Sequence, residues 1–571
     1  MGDKIAKAYE KSADLNCGRI IFMLAVLMAV GILFASRYKT SAVQLLRSGS
    51  NKRANSGKFI KAVTWNIAAI NNNPFEYWIT NDDSAYNKIM KSVSSYIDSP
   101  DSKDIEVKKV FTEKMFDELE AVMKSVGWKG TNETRMLWNT DFKNRKIISE
   151  FIKDPLLGKK RLVSMPDRVS NTVNTANSDA VYRPTVVNCY PGELNSLDSW
   201  WKQWIGFIFK NEIEVKKSGI DKKIKMYEMF QTIKKSKYPS ITAEEEAISI
   251  PLQTMCLAIF DAILVHMMND IDAKNWQKIR SDICLKLNHQ KNDRTVDILA
   301  TTYGHADILF LQEVAGNFPT FAILKQISKL FHIYQASNMD TERDQNSFIL
   351  LKKGKYRDVK DVTEDVISFY SEMNHSNNTT TSKLPVVNGD LIAITAVDQR
   401  DNTKYLLASF HGDTNGLATI PVVTAVRNYA TSKQPDCRLL FGLDANTYTK
   451  PEADQLGVTK FAEFYTSNML NSCYGSTPNP YNFTTFHART HLQAQLNKAV
   501  AFEDKDLKGD KNPKDFILFF NADYRVVETS KDNTGKLKYI EGMVFPTLSF
   551  PSDHGITSSI LEELPSHKSF E

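Results

Sequence analysis

From Trp276 to the end of the chain, short apolar runs of strand length alternate with helical patterns, and this alternation limits the fold more than any other feature. The runs Asp307–Leu311, Phe348–Leu351, Leu391–Val397, Tyr405–Phe410, Arg438–Leu443, Asp515–Phe520 and Tyr524–Glu528 read as strands. The spacing predicts helices over Asn317–Phe331 and Leu417–Thr431 between them. Such alternation argues for an α/β domain whose sheets are covered by helices. An earlier run, Lys58–Ile67 (KFIKAVTWNI), reads as one more strand, far from its companions in sequence.

The stretch 81–273 has a different texture. Asp104–Val126, Ser196–Phe209 and Lys222–Lys235 read as helices, and Thr242 with Glu245 fits a capping box. Pro251–Met268 is very apolar, but Asp261 and His266 interrupt it. It is therefore expected to be a buried core helix rather than a membrane span. The tryptophans at 128, 138, 200, 201 and 204 are expected to pack in the same core.

Gly18–Ser36 carries a single charge, Arg19, at its edge. It is just long enough to cross a bilayer core of about 30 Å as a helix. An uncleaved single-pass transmembrane anchor is expected, with a cleaved signal peptide as the rival. Lysines and arginines flank both ends about equally, so orientation and organelle stay open. Residues 40–57 read as a tether. The expected organisation is 1–57 as tail, anchor and tether, 58–80 as first strand and loop of the main domain, 81–273 as a mainly helical insertion, and 274–571 as the remainder.

Composition narrows the function classes. The net charge of +5 on 571 residues gives only mild attraction to phosphate-bearing partners, weaker than a dedicated nucleic-acid binder shows. The six cysteines have no CxxC or zinc spacing, so free or singly paired thiols are expected. No serine elbow, Cys/His pair motif or P-loop is present.

The chemistry-bearing residues sit at the ends of the strand runs. Glu313 follows ADILFLQ, His411 follows YLLASF, and Asp444 and Asn446 follow RLLFG. Asp515 opens DFILFF, Asp553 and His554 lie in FPSDHG, and Asn66 lies near the end of the early strand. Carboxylates placed just past buried strands gather at one edge of a sheet. A hard cation such as Mg²⁺ takes oxygen ligands of this kind.

The ordered set TWNIA, LQE, SFHGDTNG, GLDANT, KDFILF and PSDHG resembles the endonuclease/exonuclease/phosphatase superfamily, with its deoxyribonuclease I-like fold. NWQKIRSDI resembles that family's first helix. The resemblance covers Lys58–Thr80 and about Trp276–Glu571. It implies two packed β-sheets flanked by helices, a four-layer α/β sandwich, here with a large helical insertion and an N-terminal transmembrane helix. It also implies a Mg²⁺- or Mn²⁺-dependent phosphoester hydrolase.

Residue by residue, the resemblance gives Glu313 and Asn66 to the metal and Asp553 to metal or positioning. Asp444 and Asn446 would contact the scissile phosphate, the water or the leaving group. His554 would be base or phosphate ligand, oriented by Asp515, and His411 would bind phosphate or serve as acid. Among loop residues, Asn415 and Arg489 are candidate substrate contacts. Asp413 and Lys498 are weighed evenly between turn or solvated charge and substrate contact. Leu443 departs from the family pattern, which more often has Gly before the Asp. The insertion, following closely on the Asn66 loop, is expected at the rim of the site.

The expected partners are a phosphate-ester substrate (phospholipid, inositol phosphate or nucleic acid) and a membrane, with oligomeric state open. A different class competes: a catalytically inactive, membrane-tethered interaction protein on the same fold.

Overall fold

The computed structural model describes residues 57–565 apart from 70, 177–178, 218–219, 321–325, 340–342, 344 and 377–382. The anchor expected at 18–36 lies outside the described residues. Lys58–Glu571 is one compact unit.

Twelve strands form two six-stranded sheets. They are β1 (Lys58–Asn66), β2 (Ile308–Val314), β3 (Phe331–Gln335), β4 (Asn346–Lys352), β5 (Tyr356–Asp361), β6 (Leu391–Asp398), β7 (Lys404–His411), β8 (Cys437–Asp444), β9 (Leu470–Ser472), β10 (Asp515–Phe520), β11 (Tyr524–Asp532) and β12 (Ile556–Glu563). The first sheet runs β11-β12-β1-β2-β4-β3 and the second β9-β10-β8-β7-β6-β5. Apolar side chains of both, among them Ile60, Phe310, Ile394, Leu407, Leu440 and Ile517, form one buried layer between the sheets. The outer face of the first sheet packs on Val296, Leu299, Tyr303 and Phe318. The outer face of the second packs on helices Thr363–Ser376, Thr419–Lys433 and Val458–Ser467. The sheets approach closely at Gly442, where a Cβ would lie 2.4 Å from the Phe310 side chain. Only glycine fits between them at that point.

Two pairings set up the site. β1 runs parallel to β2, with Asn66 opposite Gln312, and β7 runs parallel to β8, with His411 opposite Asp444. Parallel neighbours end at the same edge, so their terminal residues meet there. Antiparallel β10 then starts at that edge, with Asp515 opposite Asp444. Beneath it the Gln312 amide donates to Thr64 Oγ1 at 3.1 Å and to Ser409 Oγ at 3.0 Å, bonding one sheet to the other.

The insertion is mostly helical. Ser249–Asp272 is long and apolar enough to cross a membrane, but 89% of its apolar window is buried inside the protein. It is the central core helix, surrounded by buried Trp138, Trp200, Trp201 and Trp204. Phe75–Ile79 and Leu492–Leu496 join the same core, so the insertion shares its packing with segments outside it. Cys189 and Cys284 form a disulfide between the insertion and helix Trp276–Cys284.

Several expected elements differ. Lys222–Lys235 is not a helix: Glu212–Lys217 and Ile220–Lys225 form a hairpin. Ile213, Val215 and Ile224 alternate inward among lysines, a period-two pattern hidden by the charge. Within Asp104–Val126 a 3-10 turn covers Val107–Lys109, and the α-helix starts only at Glu113, where Thr112 caps it. Among its described residues, Asn317–Phe331 holds only a 3-10 turn, Phe318–Thr320, and a short α-helix, Ile327–Leu330, followed by strand β3. Strands β3, β5, β9 and β12 were not expected. β5 and β3 are sheet edges rich in polar residues, and β12 (ITSSILEE) lacks an apolar run.

At the sheet edge remote from the site, Lys58 Nζ lies 3.1 Å from the fully buried Asp398 carboxylate, which Arg400 also meets at 3.0 Å. Burial opposes the charge, but Arg400 and Lys58 hold the Asp398 carboxyl well below the usual carboxylate range. A depressed carboxyl contributes stability above its unfolded value near 4, and loses it as pH falls toward the folded value. Asp398→Asn is therefore expected to lower the melting temperature at pH 7, to keep most of that effect at pH 3, and to lose it only at still lower pH. Thermal unfolding of both forms across pH checks this.

Candidate functional site

Six of the expected residues make one continuous cluster at the shared sheet edge. The Asn66 amide is fully buried at the end of β1 and donates to Glu313 Oε1 at 3.1 Å and to Asp444 Oδ2 at 2.9 Å. Its carbonyl oxygen accepts from the Ala68 amide, which fixes the rotamer. Glu313 adopts a left-handed backbone, φ 51°, where the β2–β4 register shifts. Such a conformation costs about 1–3 kcal/mol in a non-glycine residue and clusters at functional sites. It turns the Glu313 carboxylate, 22% exposed, toward the cup.

His411 Nε2 lies 3.4 Å from Glu313 Oε1 and 3.6 Å from Asp444 Oδ2. His554 Nε2 faces the same Asp444 oxygen at 3.6 Å, while its Nδ1 is 3.0 Å from Asp515 Oδ2. Ligand atoms of Asp444, Asp515 and His554 all lie within 4.8 Å of one another. Burial disfavours a charged His554, but Asp515 and Asp444 on its two nitrogens push the imidazole up to about 10. With a carboxylate facing each nitrogen, the ring holds the proton shared with Asp515. Asp444 also resists burial, because His554, His411 and Lys514 hold its carboxyl below the ordinary value.

Asn446 follows at φ 47°, its amide N–H bonded to Asp444 Oδ1 at 2.9 Å. Its side-chain Nδ2 is buried with no hydrogen-bond partner. A buried donor left open costs about 1–3 kcal/mol, so it is a place for an acceptor such as a phosphate oxygen. Asp553 stands beside the cluster, accepting from Tyr77 Oη at 3.0 Å, with His487 Nε2 3.5 Å away. Burial raises it, but His487, His554 and Lys291 pull its carboxyl down to about 2.

The two loop candidates fall elsewhere. Asn415 is not brought to the cluster: its amide donates to Asp454 at 2.9 Å, and its backbone N–H bonds to Asp413. Asp413 itself caps the turn, accepting from Leu417 and Ala418, so both serve loop geometry. Arg489 is held by Glu76 at 2.5 Å and stacks on Tyr77, whose hydroxyl reaches Asp553. It is one step removed from the cup.

Sequence reasoning missed a wall of groups beside Asp553. Burial drives His487 down to about 4, leaving it neutral at pH 7. Lys291 is 3% exposed, and burial pushes its ammonium down to about 8 against the pull of Asp553, Glu313 and Glu76. Lys514 is buried and paired to Asp510 at 2.7 Å. None of these residues ends an apolar run. The only signals were adjacency: Lys514 precedes Asp515, and His487 lies two residues before Arg489.

The donor set is rich in oxygen, with Glu313, Asn66, Asp444 and Asp553 around a partly open cup. These residues fit a hard divalent cation of the Mg²⁺ or Mn²⁺ type.

An acidic cup with two imidazoles, at the shared edge of two packed sheets, defines the class of site. A family model for a domain of unknown function (DUF8234) matches residues 104–281, the region of the insertion. No curated protein sequence matches the chain. Solved structures similar to the chain include TDP2 of D. rerio in complex with a single-strand DNA product, at 10% identity over 49% of this chain and 94% of that one, TM-score 0.30. The human Nocturnin catalytic domain with bound sulfate is similar at 12% identity over 49% and 90%, TM-score 0.29. An endonuclease/exonuclease/phosphatase family protein of Bacteroides thetaiotaomicron is similar at 13% identity over 48% and 89%, TM-score 0.29.

Proposed function

We propose that the chain is a divalent-metal-dependent phosphoester hydrolase, tethered to a membrane by Gly18–Ser36. The observation that carries this reading is the buried line Asp515–His554–Asp444, with His411 and Glu313 alongside. Glu313, Asn66 and Asp553 would hold Mg²⁺ or Mn²⁺. When bound, the cation would offset charge on the phosphate and on the crowded transition state. His554, charged and fixed by Asp515, donates to a phosphate oxygen or to the leaving group in that state. Once Asp444 no longer faces it with full charge, the same ring can take a proton from water. His411 supplies a second donor, and the open Asn446 Nδ2 a third, each aimed where negative charge develops. The tether rests on length and hydropathy alone, and it favours a lipid or inositol head group over nucleic acid.

The full chain with Mg²⁺, assayed against DNA, RNA, sphingomyelin and phosphoinositides, tests the reading. Hydrolysis of at least one, abolished by EDTA and restored by Mg²⁺ or Mn²⁺, is expected. No turnover of any substrate, with partner binding intact in Glu313→Ala, favours an interaction protein instead.

A further inference from the structure

Next to the cup lies a group of cations that the proposed chemistry does not use. The helix Pro155–Lys159 of the insertion, just before the turn that carries Arg161, sits directly on the turn Leu496–Lys498: a Cβ on Gly158 would lie 2.5 Å from Asn497 Oδ1. This close approach sets Arg161 and Lys498 on facing turns. Arg161 has a left-handed backbone, φ 63°, and its buried Nε–H has no hydrogen-bond partner. Among the described residues, no carboxylate forms an ion pair with either Arg161 or Lys498. Arg489 acts on both through space, is paired with Glu76 at 2.5 Å, and is joined to Tyr77 by a β-bridge and to the cup through the Tyr77 hydroxyl on Asp553. The charges press on one another. Beyond the effect of burial, Arg489, Arg161 and Lys514 disfavour the Lys498 ammonium against the pull of Asp510, and Arg168 and Arg489 disfavour the Arg161 guanidinium, which lies over the Tyr238 ring and is favoured by it.

Like charges gathered in a half-buried crevice repel, and a strained arginine with an open buried donor adds to the cost. A bound anion removes both penalties. Guanidinium groups meet the oxygens of a phosphate by paired N–H donors, and lysine adds a point charge. We propose that Arg161 of the insertion, with Lys498 and Arg489, forms a second anion site that takes a phosphomonoester group of the substrate, away from the scissile bond. This deepens the hydrolase reading and rests on it. The insertion then acts as one arm of a clamp that selects substrates carrying an additional phosphate.

The test is direct binding of inorganic phosphate to the full chain in EDTA, where the acidic cup itself repels the anion. Saturable binding that weakens with salt is expected. Arg161→Gln and, separately, Lys498→Gln are each expected to weaken it about tenfold, with Arg161→Lys retaining part of it. Glu313→Ala is expected to leave phosphate binding in place. Displacement of phosphate by a 5′-phosphorylated dinucleotide or by a bisphosphorylated inositol supports the substrate assignment and tells the two sources apart, and displacement by neither overturns it. Absence of phosphate binding by the unmodified chain overturns the site, as does unchanged affinity in a folded Lys498→Gln protein. Hydrolysis of bis(p-nitrophenyl) phosphate, which has no second phosphate, is measured alongside with Mg²⁺. Turnover kept with phosphate binding absent removes the second site alone, whereas turnover absent here and on DNA, RNA, sphingomyelin and phosphoinositides removes the hydrolase reading.

Discussion

Alanine at His554 is expected to lower kcat on the best phosphoester substrate by about 1,000-fold, roughly 4 kcal/mol of transition-state stabilisation. The ring sits between two carboxylates, 3.0 Å from Asp515 and 3.6 Å from Asp444, so its loss removes the positioned proton and leaves two buried anions facing each other. Glu313→Ala is expected to match it in size, but through the metal: its rate should recover partly at raised Mg²⁺, whereas that of His554→Ala should not. Glu313 is the more exposed of the two, and alanine, which also has a Cβ, keeps the same left-handed backbone strain, so the variant's stability should change little. Steady-state kinetics across Mg²⁺ concentration, with thermal melts of each variant, separate these effects. Either variant keeping rates within about threefold of the unmodified chain ends the assignment of this cup as the reaction centre.

The largest stability effect is expected at Asp261, in the middle of the core helix Ser249–Asp272. Its carboxylate is fully buried and receives Arg183 Nε at 2.8 Å, Trp204 Nε1 at 2.8 Å and Thr185 Oγ1 at 2.6 Å. Arg183 is itself fully buried and reaches Asp167 at 2.6 Å and Ser170 at 2.8 Å. Asp261→Ala strands an indole N–H and leaves the buried guanidinium with only Asp167 and Ser170, a loss of about 3–5 kcal/mol. Replacing both partners by apolar residues of similar volume is expected to cost much less, because no charge is then left alone. Urea unfolding of the single and double variants measures this. A single variant within about 1 kcal/mol of the unmodified chain would mean that water reaches the pair. Because Phe75–Ile79 and Leu492–Leu496 share this core, the damage should also loosen the wall that carries Tyr77 and Arg489.

Much of the site could be read from the chain. Asn66, Glu313, His411, Asp444 and Asp515 lie at the ends of strands whose apolar runs are continuous, so their places at a sheet edge followed from periodicity alone. What periodicity could not supply was the pairing. Only the parallel registers β1–β2 and β7–β8 bring Asn66 to Gln312 and His411 to Asp444. β12 stayed hidden because ITSSILEE fills its interior positions with serine and threonine, which bond across strands at Ser530–Ser558 and Thr529–Ser559. Lys222–Lys225, the end of the hairpin's second arm, read as the start of a helix because lysines outnumber its inward apolar residue, Ile224.

The sequence by itself determined the residue types at the reaction edge, the apolar runs that bury the sheets, and the break in texture at the insertion. These are local properties, written in periods of two and 3.6 residues. Tertiary structure alone decided that Asn415 is tied to Asp413 and Asp454 rather than to the cup, that Arg489 leans on Glu76 and Tyr77, and that Gly158 meets Asn497 across more than three hundred residues. Contacts of that kind depend on how packed elements bring distant side chains together under burial, and no local pattern encodes the distance between two charges.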